Sequence, residues 1–194
     1  MTPTDTSEKG LEKLIVEALV GHGPESAVAQ PGVAEPHVPW GGAGYVQGDP
    51  QDYDRDHAMD LAKLLAFVHA TQPQAFAALH LAEDCPARTQ FLHRLQGEIA
   101  KRGVIDVLRH GVKHGAAQLD LFYGTPTPGN VKAEARFNAN IFSVTRQLRY
   151  SKDETQLALD LCLFINGLPV ATFELKNRLT KQTVEDAVQQ YKRD

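Results

Sequence analysis

The chain has 194 residues with 42% hydrophobic side chains, enough for a folded core and too many for wholesale disorder. Its formal charge of −4 lacks the overall basic balance of a nucleic-acid binder, yet it is unevenly divided: residues 1–85 carry −9, residues 86–152 carry +7 and residues 153–194 carry −2. The first ten residues are polar, no apolar run reaches the roughly 18 residues that span a bilayer, and Cys85 and Cys162 are far apart, which together point to a reduced, cytoplasmic protein with no membrane segment, disulfide framework or cysteine-based zinc site.

An amphipathic helix is predicted over residues 5–20, with Leu11, Leu14, Ile15, Ala18 and Leu19 as its apolar stripe and Asp5 with Glu8 as a capping-box-like start. Residues 21–50 hold 7 Gly and 5 Pro and read as a long loop, in which Trp40 and Tyr45 either dock a partner or pin the loop to the core. Helical spacing returns over 54–70 (Leu61, Leu64, Leu65, Val68) and over Pro86–Arg102, with Phe91, Leu92, Leu95 and Ile99 facing inward. The period then shortens. Gln118–Tyr123, residues 140–150 and residues 157–165 read as strands, the last almost continuously apolar, as a doubly covered central strand would be. Asn166-Gly167 marks a hairpin turn, Pro169–Lys176 the return strand, and a last helix from near Gln182 is still running at Asp194, as expected for part of a longer protein.

One polar set stands against the apolar hairpin: Asp160, Glu174 and Lys176. A charge inside LALDLCLFI without a partner would cost several kcal/mol, on the order expected for burying an unpaired ion. Positions 174 and 176 share a face because strand side chains alternate. A three-residue loop, or a bulge of the same effect, would set Asp160 opposite Glu174 and gather Leu157, Leu159, Leu161, Leu163 and Ile165 with Ala171, Phe173 and Leu175; a two-residue loop would not. The apolar pattern favours the odd register. Two facing carboxylates repel, and a hard divalent cation reverses that sign. Asp160, Glu174 and the Leu175 backbone carbonyl would then hold Mg²⁺ (or Mn²⁺), with Lys176 at the attacking water or the phosphate: metal-assisted phosphodiester hydrolysis. The same three residues also suit an ordinary salt bridge in a sheet protein.

Around these residues the sequence resembles a known family. The run NIFSVTRQLRY…LALDLCLFINGLPVATFELKN…TVEDAVQQYKRD, with TSEKGLEKLIVEAL and GEIAKRGVIDVLRHGVK before it, is similar to the N-terminal nuclease region of the R (restriction) subunit of type I restriction–modification enzymes. The resemblance implies an α/β fold of the PD-(D/E)xK type, a restriction-endonuclease-like core with a mixed central sheet flanked by helices, here with a helical and Gly/Pro-rich N-terminal extension. It divides the chain into a helical part, 1–115, and a nuclease core, 116–194, truncated at its C-terminal end.

The family's catalytic residues fall on Asp160, Glu174 and Lys176, with Leu159 where the name-giving motif has proline. Its helix glutamine falls on Gln190, but the tyrosine expected four residues later is Asp194, the nearby tyrosine being Tyr191. Glu12 reads either as a solvated helix residue or as a further site acid, as in some related nucleases. Partners implied by the resemblance are double-stranded DNA and the modification (M) and specificity (S) subunits. ATP would act only through motor domains absent here, since the chain has no GxxxxGK[ST] loop. Arg136, Arg146, Arg149 and Lys152 are candidates for phosphate contacts that hold the DNA backbone without reading sequence. His110 and His114, four apart, have the spacing of a helical metal pair but are flanked by glycines. A stand-alone repair nuclease or resolvase, and a non-catalytic docking module, are the rival readings.

Overall fold

In the computed structural model, residues 7–21, 43–153 and 156–176, with residues 188 and 192, are described. The first helix, α1 (Glu8–Val20), is capped by Ser7, whose Oγ accepts the Gly10 N–H at 3.1 Å. Asp5 lies outside the described residues. Leu11 and Leu14 are 42% and 49% exposed, so the expected stripe is rotated: Val16 is buried, and Ile15, Leu19 and Val20 pack beside it.

Strand β1 (Val46–Gln47) sits at the end of the Gly/Pro-rich stretch and pairs in parallel with β6 (Phe142–Leu148), Val46 with Ser143 and Gln47 with Val144. The first part of the helix expected over 54–70 is not helical: residues 53–60 form a small antiparallel pair, β2 (Tyr53–Asp54) and β3 (Met59–Asp60). The Asp54 Oδ1 takes the N–H groups of Asp56 (2.7 Å) and His57 (3.1 Å) and so closes the turn between the two strands. Helix α2 (Leu61–Thr71) begins only after Asp60, whose carboxylate accepts the Lys63 N–H at 3.0 Å.

Helices α3 (Pro73–Ala78), α4 (Pro86–Arg102) and α5 (Val104–His110) follow; α4 has the predicted bounds and buries Phe91, Leu92 and Leu95. The strand predicted at Gln118–Tyr123 is shorter and shifted: β4 (Val112–His114) pairs with β5 (Ala117–Leu119), and residues 120–123 leave the ladder while Leu121 stays buried. Helix α6 (Val131–Asn138), capped by Asn130, was not foreseen. Then come β6, β7 (Leu159–Ile165) and β8 (Leu168–Phe173), in a mixed four-stranded sheet of order β1-β6-β7-β8. The protein is thus α/β, with six α-helices among the described residues. The helix expected from Gln182 falls outside them.

The β7–β8 turn has two residues, Asn166 (φ +51°) and Gly167 (φ +81°), which corrects the three-residue loop expected from the apolar pattern. Both positions take the left-handed conformation, the two-residue hairpin geometry that Asn-Gly adopts most readily. The parity argument survives at one point. Leu175 packs with Val16, Val144, Leu161 and Leu163, on the side of the odd β7 residues, because the chain has left the ladder after Phe173.

The chain divides into two compact units. The first, from the described parts of 1–50, 143–163 and 171–194, has a small core of Val16, Val144 and Leu161 with Ile15, Leu19, Tyr45, Leu163 and Leu175 around it. Tyr45 is therefore a core residue, and its N–H also donates to the Leu19 carbonyl at 3.2 Å; Trp40 lies outside the described residues. The second unit, 51–142 and 164–170, holds the larger core, including Met59, Leu64, Phe67, Phe91, Leu95, Leu119, Leu121 and Leu168. Each such side chain contributes about 1.5–3 kcal/mol by leaving water. No helix among the described residues is long and apolar enough to cross a membrane.

Candidate active site

Asp160 is the second residue of β7 and is half-buried. Its Oδ2 accepts the backbone N–H of Leu175 at 2.7 Å, so the carboxylate lies directly against the Glu174–Leu175–Lys176 segment. Its Oδ1 accepts from the Gln147 side-chain amide at 3.2 Å. Glu174 and Lys176 are half-buried just beyond the end of β8. Sequence distance between Asp160 and this segment is thus closed by the hairpin and by a single side chain-to-backbone hydrogen bond.

Glu12 enters the same neighbourhood from α1. It is 2% exposed, a buried acid and not a solvated helix residue. One carboxylate oxygen pairs with the Arg146 guanidinium, and the other accepts from Gln147 Nε2 at 3.0 Å. Arg146, a candidate for phosphate contact, is therefore turned to Glu12. Burial of a carboxylate demands such partners, and a charge-assisted bond is the strong way to supply them. Glu12, Arg146, Gln147 and Asp160 form one chain of polar contacts, all within the first unit.

Gln147 is the participant that sequence reasoning missed. A glutamine at an outward strand position carries no signal by composition, and its backbone φ of +48° is not encoded by a glycine or asparagine. Arg149 and Lys152 are exposed on the connection between β6 and β7. Arg136, on α6, lies over the Tyr123 ring at 5.5 Å and lines a cleft with Tyr123, Asn130 and Lys132 in the second unit. His110 ends α5 and contacts Asp106 at 2.9 Å, whereas His114 sits on β4 with its ring against Phe91, so the two do not form a helical pair. Gln190 and Tyr191 lie outside the described residues.

Buried beside Asp160 on β7, Cys162 is 1% exposed, and burial pushes its thiol up to about 12, so the sulfur stays protonated and is no nucleophile. Among the described residues, no three or more His, Cys, Asp or Glu side chains converge closely enough to hold an ion together, and both Asp160 oxygens are taken by protein donors.

Fold and site together define an α/β protein in which Asp160 is held against a Glu-x-Lys segment just beyond the end of a hairpin. Residues 105–194 match the family model described as the type I restriction enzyme R protein N terminus. The match contains Gln147, Asp160, Glu174 and Lys176, but not Glu12. No curated protein and no solved structure gives a significant match to the chain.

Proposed function

We propose that the chain is the DNA-cleaving part of a type I restriction enzyme R subunit, hydrolysing phosphodiesters of double-stranded DNA with Mg²⁺ or Mn²⁺. One observation carries this reading: the Asp160 carboxylate is held against the backbone of Leu175, between Glu174 and Lys176, with Glu12 tied to it through Gln147. A bound divalent cation would supply Lewis-acid stabilisation of the phosphate and a more acidic water. Asp160, Glu174 and the Leu175 carbonyl are the oxygens to hold it. Lys176 contributes a point charge that orients the attacking water and offsets negative charge building on the phosphate. Arg149 and Lys152 suit phosphate contacts that hold the duplex without selecting sequence.

Recognition of a DNA site would then belong to the specificity subunit and ATP-driven translocation to motor domains outside this chain, with the modification subunit completing the assembly. A rival reading, a non-catalytic docking module, draws on the engagement of both Asp160 oxygens by protein donors. Mn²⁺ binding separates the two. The nuclease reading predicts binding by the chain that Asp160→Asn and Glu174→Gln each abolish; binding that ignores both substitutions, or none at all, leaves the docking module.

A further inference from the structure

Gln147 combines two features that do not occur together anywhere else among the described residues. It is one of four non-glycine residues with positive φ among the described residues, and the other three, Ala58, His80 and Asn166, sit in turns, whereas Gln147 lies inside β6. Its amide nitrogen also donates to two carboxylates at once, Glu12 Oε2 at 3.0 Å and Asp160 Oδ1 at 3.2 Å.

The two features explain each other. Consecutive strand residues point to opposite faces, so Arg146 and Gln147 in a regular strand could not both reach Glu12. The left-handed backbone at Gln147 breaks that alternation and lets both do so. Strain of this kind persists only where surrounding structure over-determines it, and it concentrates at functional sites. The three side chains also differ in access: Glu12 is buried and Asp160 half-buried, while Gln147 is exposed, on the side from which it can move outward.

Resting on the nuclease reading above, we infer that Gln147 is a positioning residue whose amide stands in for a cation between Glu12 and Asp160 and yields to the cation when it binds. Arg146 takes one Glu12 oxygen, and between the other Glu12 oxygen and Asp160 the two N–H groups of one amide are the neutral device that offsets the remaining repulsion. Glu12 and Asp160 would offer the same oxygens to a divalent cation, whose stronger contacts would displace the Gln147 amide. Glu12 thereby becomes a member of the site, delivered by α1, and Gln147 an internal competitor of the metal.

Gln147→Asn is the discriminating substitution. Asparagine tolerates the left-handed conformation and keeps an amide, but it is one methylene shorter and cannot span both carboxylates. Gln147→Gly relaxes the backbone and removes the amide, and serves should the asparagine variant fold poorly. Mn²⁺ titration followed by electron paramagnetic resonance, with thermal unfolding of the same chains, gives the readout. Wild type binds Mn²⁺ in an Asp160-dependent way. Both Gln147 variants bind it about tenfold more tightly, the scale of one lost charge-assisted hydrogen bond. Both also unfold at a lower temperature without metal and regain the difference at saturating Mn²⁺. Affinity unchanged or weakened in both variants, with Asp160-dependent binding intact in wild type, overturns this inference alone. Absence of Asp160-dependent binding in wild type overturns the nuclease reading and this inference with it.

Discussion

Asn166 is the most demanding residue of the hairpin that carries Asp160 and Glu174, and replacing it has a calculable effect. It is fully buried at φ +51°. Its Oδ1 accepts the Ile141 N–H at 2.6 Å, and its Nδ2 donates to the Leu121 carbonyl at 2.8 Å and to Asn140 Oδ1 at 3.0 Å. Asn166→Ala strands the Ile141 donor and the Leu121 acceptor, each at about 1–3 kcal/mol, and forces a Cβ-branchless but chiral residue to keep a left-handed backbone at about 1 kcal/mol more. The total is roughly 3–7 kcal/mol, a large part of the 5–15 kcal/mol that stabilises a typical domain. Asn166→Gly escapes the backbone term and should lose about 1 kcal/mol less. Urea unfolding with the slope compared between variants measures all three proteins. A loss below about 1 kcal/mol for Asn166→Ala at unchanged slope, or a glycine variant less stable than the alanine one, would refute the reasoning.

Gly167→Ala should be as severe, because a Cβ there runs into the Asp60 carbonyl and the Leu64 amide nitrogen (2.6 Å) at φ +81°; at least about 3 kcal/mol is expected in the same urea assay. Glu12→Ala removes the partner of Arg146, whose side chain is 36% exposed and so partly re-solvated, and should lower stability by about 1–3 kcal/mol in thermal unfolding, with Glu12→Gln intermediate. Burial raises the Cys162 thiol, so the folded state keeps a proton that the unfolded chain gives up from about pH 8.5. Stability should therefore fall as pH rises from there towards 12, a slope that Cys162→Ala flattens, and a thiol reagent at neutral pH should label the half-buried Cys85 well before Cys162.

Elements whose information is local were legible in the sequence. Helix α4 follows from its apolar spacing, with proline at its start and glycine just past its end, and the Asn-Gly turn from the backbone freedom of those two residues. Elements made by distant partners were not. Strand β1 is two residues of a Gly-rich stretch that become a strand only by pairing with β6, and β2 and β3 likewise exist through their pairing, Tyr53 with Asp60 and Asp54 with Met59, which apolar spacing does not report. At the candidate site, Asp160 betrays itself as a charge in an apolar strand, and the Glu-x-Lys segment by its position across the turn. Glu12 looks solvent-facing until Arg146 and Gln147 are brought to it from 134 and 135 residues away. Register failed for a related reason: the apolar pattern required a change of parity, and the chain makes it beyond β8, not in the turn.

On the proposed function, Asp160 belongs to a phosphodiesterase centre distinct from any ATP-driven motor. Supercoiled plasmid cleavage and ATP hydrolysis, measured in one reaction by the complete restriction assembly carrying Asp160→Ala in this region, test it most directly. The account predicts that cleavage is lost while ATP hydrolysis continues. Cleavage that persists at the wild-type rate would contradict it.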